Sequence, residues 1–205
     1  MKVSLRKWCS RRTRIWPIGR RSCKGSGANA NGLSYASFTF QVQDNGGTAN
    51  GGVDLDQSPN TITVNVTPVN DAPAGANNTV TTVEGTAYTF AAADFGFTDS
   101  SDSPANSLLA VRISTLPTTG KLTNNGVAVT AGQFITLADI TGGLFKYTPV
   151  ANSNGLNYAN FTFQVQDNGG TANGGVNLDP TPNTITVNVT PIVEFWLQQR
   201  RAILR

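Results

Sequence analysis

Residues 151–191 read ANSNGLNYANFTFQVQDNGGTANGGVNLDPTPNTITVNVTP, and residues 28–68 read ANANGLSYASFTFQVQDNGGTANGGVDLDQSPNTITVNVTP. The two stretches lie 123 residues apart and differ at six of 41 positions, which in the earlier copy are Ala30, Ser34, Ser37, Asp54, Gln57 and Ser58. Every apolar residue with strand periodicity is identical in both, so both must fold alike. Phe161, Phe163 and Val165 alternate with Thr162 and Gln164, and Ile185, Val187 and Val189 alternate with Thr186 and Asn188. β-Branched and aromatic residues at a period of two are the mark of a half-buried strand. Phe38, Phe40, Val42 and Ile62, Val64, Val66 repeat the pattern in the earlier copy.

Working outward, the same alternation predicts strands over residues 79–83, 87–90, 108–115, 121–122, 127–129, 134–137 and 144–148. Asn125-Gly126 fits a tight hairpin turn, because both residues tolerate positive φ. No segment carries a sustained helical period. Many short strands with closely spaced turn signals predict an all-β, antiparallel sandwich. The match between the copies stops abruptly at both ends, so residues 71–191 form one complete unit and residues 28–70 the C-terminal part of a preceding one, plus a linker. About 120 residues can bury an adequate core without disulfides. A third of a sandwich cannot, and residues 28–70 are expected to be ragged or to pair onto a neighbouring edge.

The formal net charge of +3 is an average of unlike parts. Residues 1–27 hold nine Lys and Arg, and the last stretch holds Arg200, Arg201 and Arg205, leaving only Arg112, Lys121 and Lys146 in the body. Eleven of the 12 acidic residues lie between Asp44 and Asp179, so residues 28–192 carry a formal −8. Both cysteines, Cys9 and Cys23, and all three tryptophans, Trp8, Trp16 and Trp196, fall in the terminal segments. We therefore read 1–27 as a basic tail that is disordered or foreign to the repeat, and 192–205 as a second tail, unstructured or helical. A truncated or frame-shifted gene, or a recombined fragment, accounts for both ends with one cause. No stretch resembles a secretory signal or a membrane span.

Further motifs follow in a fixed order: VNDAP at 69–73, VEGT at 83–86, FTDSSDSPANSLLAVRI at 97–113, LPTTGKL at 116–122, ADITGGLFKYTP at 138–149 and FTFQVQD at 161–167. In that order they resemble the cadherin-like and proteoglycan-like tandem repeats of large bacterial surface adhesins, over about four-fifths of the chain. The resemblance implies a cadherin/Ig-like β-sandwich, an extracellular or cell-surface location within a parent protein, and a calcium-stiffened rod acting in cell adhesion. Its partners would be neighbouring repeats and a surface protein or glycan target. By the same resemblance Asp71 in the linker, Glu84 near the start of the unit, and Asp99 and Asp102 in one loop are candidate Ca²⁺ ligands, with Asp44 of the preceding unit as a contributor. Ca²⁺ takes six to eight hard oxygen donors, and a body at −8 would gain from bound cations. The D-x-x-D spacing of Asp99 and Asp102 departs from the D-x-D of animal cadherins. DNGGTANGG lacks the spacing of calcium-binding glycine-rich repeats and reads as a flexible loop.

Catalysis is not expected. The chain has no His, which excludes Ser-His-Asp and Cys-His chemistry and His-based metal sites, and no acidic pair sits beside aromatic sugar platforms. Lys146, next to a strand, could form an internal Lys–Asn crosslink, but reads more simply as an exposed lysine. Two alternatives to the adhesin reading remain: a carbohydrate-binding module, and nucleic-acid or membrane binding through the basic N-terminal arm.

Overall fold

A computed structural model describes residues 29–192 of the chain. It divides between Val69 and Asn70 into two compact units.

The first unit is a two-stranded antiparallel hairpin, β1 (Gly32–Phe40) with β2 (Asn60–Val66). The second unit holds β3 (Asn78–Val83), β4 (Tyr88–Thr89), β5 (Leu108–Ile113), β6 (Lys121–Asn124), β7 (Val127–Ala128), β8 (Phe134–Thr136), α1 (Leu137–Thr141), β9 (Phe145–Thr148), β10 (Gly155–Asp167) and β11 (Asn183–Thr190). Its strands form two sheets, a five-stranded one in the order β3-β11-β10-β5-β8 and a four-stranded one in the order β4-β9-β6-β7.

The core lies between these sheets. Val111, Ile113, Phe161, Phe163, Val165, Ile185 and Val187 of the first sheet are fully buried, as are Phe145 and Tyr147 of the second. Phe90 stacks on Phe145 at 4.8 Å between ring centroids and meets Phe161 edge-on at 5.6 Å. Edge-to-face and offset rings are the favoured aromatic geometries, so the alternating phenylalanines of the repeat supply the contacts between the sheets.

The sandwich differs from the sequence expectation in two details. β11 pairs with β3 in parallel, while the other strand pairs among the described residues are antiparallel. The reason is directional: the unit's first and last strands both run away from the linker, so the chain enters at one pole and leaves at the other. The second difference is α1, a single helical turn where no helix was expected. Thr136 caps it, its Oγ1 accepting the N–H of Asp139 at 3.1 Å, which satisfies one of the orphan donors of a helix start. A turn of five residues is too short to show a helical period. The Asn125-Gly126 turn is as expected, with φ of +50° and +78°.

The hairpin of the first unit reproduces β10–β11 in register. Gly32 faces Val66 as Gly155 faces Val189, and Phe38 faces Ile62 as Phe161 faces Ile185. Identical sequence gives identical pairing, but not identical burial. Phe38 is 53 % exposed and Ile62 42 %, whereas Phe161 and Ile185 are fully buried.

Candidate functional site

The candidate residues do not all meet. Asp99 and Asp102 lie in one loop at the pole where the chain enters the second unit, and the backbone of Asp71 meets that loop. The backbone N–H of Asp71 donates to Asp102 Oδ2 at 3.0 Å. Asn106 ties the same loop, its N–H donating to Asp99 Oδ2 at 2.5 Å and its Nδ2 to Asp102 Oδ2 at 3.2 Å. Asp99 Oδ1 is buried with no hydrogen-bond partner. Glu84 sits at the opposite pole, one residue past the end of β3. Its carboxylate accepts the N–H of Ile192 at 3.1 Å and Asn154 Nδ2 at 2.8 Å. Six strand residues at about 3.3 Å each separate the two poles by some 20 Å. Asp44 belongs to the first unit, where it accepts the N–H of Gly46 at 2.8 Å.

The centre of the entry pole is a residue that was not singled out. Asn70 Nδ2 donates to Asp167 Oδ1 at 3.0 Å, to the Gly170 carbonyl at 3.2 Å and to the Val176 carbonyl at 2.8 Å. Its own carbonyl accepts the N–H of Val176 at 2.9 Å, and its Oδ1 accepts from Asn106 Nδ2. Asn70 is a peg and DNGGTANGG is its socket. The glycines of that motif follow from the fit. A Cβ on Gly169 would fall 1.8 Å from Asn70 Oδ1, and one on Gly175 would fall 3.1 Å from Asn70 Cβ. The loop read as flexible is therefore fastened, and Asp167 inside it is fully buried.

A second buried carboxylate, Asp179, fastens the next stretch of linker. It accepts the N–H of Gly75 at 2.9 Å and of Thr181 at 2.9 Å, and Asn183 Nδ2 at 2.7 Å. Ala74 then bridges to Thr98. Residues 70–76 thus belong structurally to the unit they precede. Asn70 could not be found by comparing repeats, because the chain contains one VNDAP and the motif's partner loop reads simply as glycine-rich; Asp179 is kept in both copies, as Asp56, but its hold on the linker shows only in the fold.

The electrostatics of this pole are those of crowded carboxylates. Burial raises the Asp167 pKa above the ordinary carboxylate range, with the charges of Asp99 and Asp102 adding to the rise. The hydrogen bonds from Gly169 and Asn70 act the other way. Among the described residues, no three Asp, Glu, Cys or His side chains are gathered into a ready-made metal cage. The donor set is nonetheless all oxygen, and a buried carboxylate oxygen without a partner is the kind of atom that a hard cation satisfies. Glu84 does not share the pole of Asp71, Asp99 and Asp102.

A family model described as a bacterial Ig domain matches residues 70–179, just over half of the chain. The chain belongs to the bacterial Ig domain family. The matched span runs from Asn70, the peg, to Asp179, the second carboxylate that holds the linker. No curated protein and no solved structure matches the chain. Bacterial Ig domains are structural, generally non-enzymatic modules of surface proteins, and the duplicated C-terminal third marks this one as repeat-built. Among the described residues no helix is long and apolar enough to cross a membrane. The basic arm, Cys9, Cys23 and the second tail from 193 onward lie outside the described residues.

Proposed function

We propose that this bacterial Ig domain is a cadherin-like, calcium-stiffened spacer from an extracellular adhesin. On this reading residues 1–27 and 192–205 are tails, 28–70 is the end of one repeat with its linker, and 71–191 is a complete repeat. The observation that carries the proposal is the buried, unpartnered Asp99 Oδ1, in the loop whose Asp102 holds the backbone of Asp71 where the linker meets the unit. Three carboxylates and the neighbouring backbone carbonyls would hold Ca²⁺, and the ion would offset the repulsion that Asp99 and Asp102 add to the burial-driven rise of the Asp167 pKa. It would supply charge and extra bonds across the linker, not chemistry. The chain enters the complete repeat at one pole and leaves it at the other. Glu84 then faces the junction with a following repeat rather than the one before it. Asp44 is assigned by its counterpart, Asp167, to the entry pole of the preceding repeat.

Calorimetric titration of the full chain with CaCl₂ tests the reading. The expected result is saturable binding in the 10⁻⁴–10⁻³ M range typical of extracellular modules. It should be weakened at least about tenfold in Asp99→Asn and Asp102→Asn, and unchanged in Glu84→Gln. Absence of binding, or binding indifferent to Asp99 and Asp102, would rule the site out.

A further inference from the structure

The loop DNGGTANGG occurs twice with the same backbone. In the second unit Asn173 has φ 55° and ψ 25°, and in the first Asn50 has φ 55° and ψ 30°. Gly170 and Gly47 have φ of +81° and +74°. The turn inside the loop closes with the same bonds: Gly169 N–H to Asp167 Oδ1 and Gly46 N–H to Asp44 Oδ1 are both 2.8 Å. Gly175 N–H to the Ala172 carbonyl is 3.0 Å, and Gly52 N–H to the Ala49 carbonyl 3.1 Å.

The occupancy differs. The second copy holds Asn70. Among the described residues no side chain enters the first, and Asp44 is exposed where Asp167 is fully buried. A Cβ built on Gly46 meets nothing nearer than Asp44's own carboxylate at 3.1 Å, while the equivalent Cβ on Gly169 would fall inside the peg. The socket is therefore set in its binding conformation before anything fills it, so a ligand does not have to order it.

We propose that the loop of residues 44–53 in the first unit is a preformed binding site for the side-chain carboxamide of an asparagine carried on an extended Val-Asn-Asp peptide, the linker segment of a repeat of this kind. The counterpart positions define the chemistry. The NH₂ group has three acceptors, the Asp44 carboxylate and the carbonyls of Gly47 and Val53. The ligand's own backbone carbonyl has the N–H of Val53. A carboxylate in place of the carboxamide would lose its donors and face Asp44 charge to charge. Asn70 of this chain is already seated in the second unit, so it is not the asparagine that this loop would take. Among the described residues the first unit has no counterpart of Asn106, and the binding groups named here are the loop's own. The inference is independent of calcium.

The test is NMR titration of the ¹⁵N-labelled full chain with a synthetic peptide of residues 66–76, VTPVNDAPAGA. Saturable shifts are expected at the amides of Gly46, Gly47, Gly52 and Val53. Replacing the peptide's asparagine by alanine removes about three hydrogen bonds and should weaken binding at least about tenfold. Gly46→Ala in the chain places a methyl where the carboxamide sits and should abolish the shifts while leaving the amide pattern of β1 and β2 intact. The alanine peptide keeps the test decisive if that variant loses its hairpin. No saturable shift up to about 10 mM peptide, equal binding of the alanine peptide, or shifts confined to Gly169, Gly170 and Gly175 would overturn the proposal.

Discussion

Asn70 concentrates in one side chain what fastens the linker. Its carboxamide reaches a buried carboxylate and two backbone carbonyls, and removing it leaves Asp167 with the Gly169 N–H as its remaining partner. Asn70→Ala should cost the second unit about 1–3 kcal/mol, the range for a lost hydrogen bond to a charged group, read from denaturant midpoints. Asn70→Asp should cost more, because it sets a second carboxylate against Asp167. Two acids report opposite pH behaviour. Hydrogen bonds from Asn124 and Thr136 hold Asp139 below the ordinary range, so its contribution to stability is present above the unfolded pKa and lost as pH falls through the folded one. Asn124→Ala should bring the Asp139 midpoint back up, as followed by ¹³C NMR. Asp167 is raised instead, so its ionisation opposes folding as pH rises from the unfolded value through the folded one. The motif VNDAP was legible as a linker, and the acids beside Asn70 as possible ligands. Asn70's role was not, because it depends on a partner loop 97 residues away.

The duplicated hairpin separates what local sequence fixes from what packing fixes. Strand identity, pairing register and the Gly-led bulge at Gly32 and Gly155 follow from the sequence alone and are the same in both copies. Burial is not, because it depends on β3 and β5 flanking the hairpin and on the second sheet beneath it. The same substitution should therefore have two different consequences. Phe161→Ala should cost about 3–5 kcal/mol, the range for a buried phenylalanine, and Phe38→Ala less than about 1 kcal/mol, compared by urea unfolding of the two variants. Elsewhere the alternation located β3, β5, β9 and the β6–β7 hairpin, and missed what lacks a period. α1 is one capped turn. Gly120 is another such position: its φ is +71° and a Cβ there would fall 2.4 Å from the Tyr147 hydroxyl and 2.6 Å from the Thr148 carbonyl. That hydroxyl donates to the Thr119 carbonyl at 2.8 Å, and burial, with the nearby Tyr158, pushes its pKa up to about 12. Nothing in the string LPTTGKL announces that contact.

For the chain as a whole, charge is the property most changed by dividing it. The positive balance belongs to the ends, and the bacterial Ig domain that folds is acidic. Its acids are not spread evenly: Asp71, Asp99, Asp102 and Asp167 gather where the linker enters, and Glu84 lies where the chain leaves. Peg, socket and carboxylates together make the linker part of the following unit. If that pole takes calcium, the ion binds the folded unit and not the unfolded chain, and stability must rise with its concentration. The most direct check is the thermal unfolding midpoint of the full chain in 10 mM CaCl₂ against the same chain in excess chelator. At about 10–100 times a Kd in the expected range, binding adds about 1.4–2.7 kcal/mol, so the midpoint should rise by at least about 4 °C and the rise should vanish in Asp99→Asn. Identical midpoints in calcium and chelator would contradict the account.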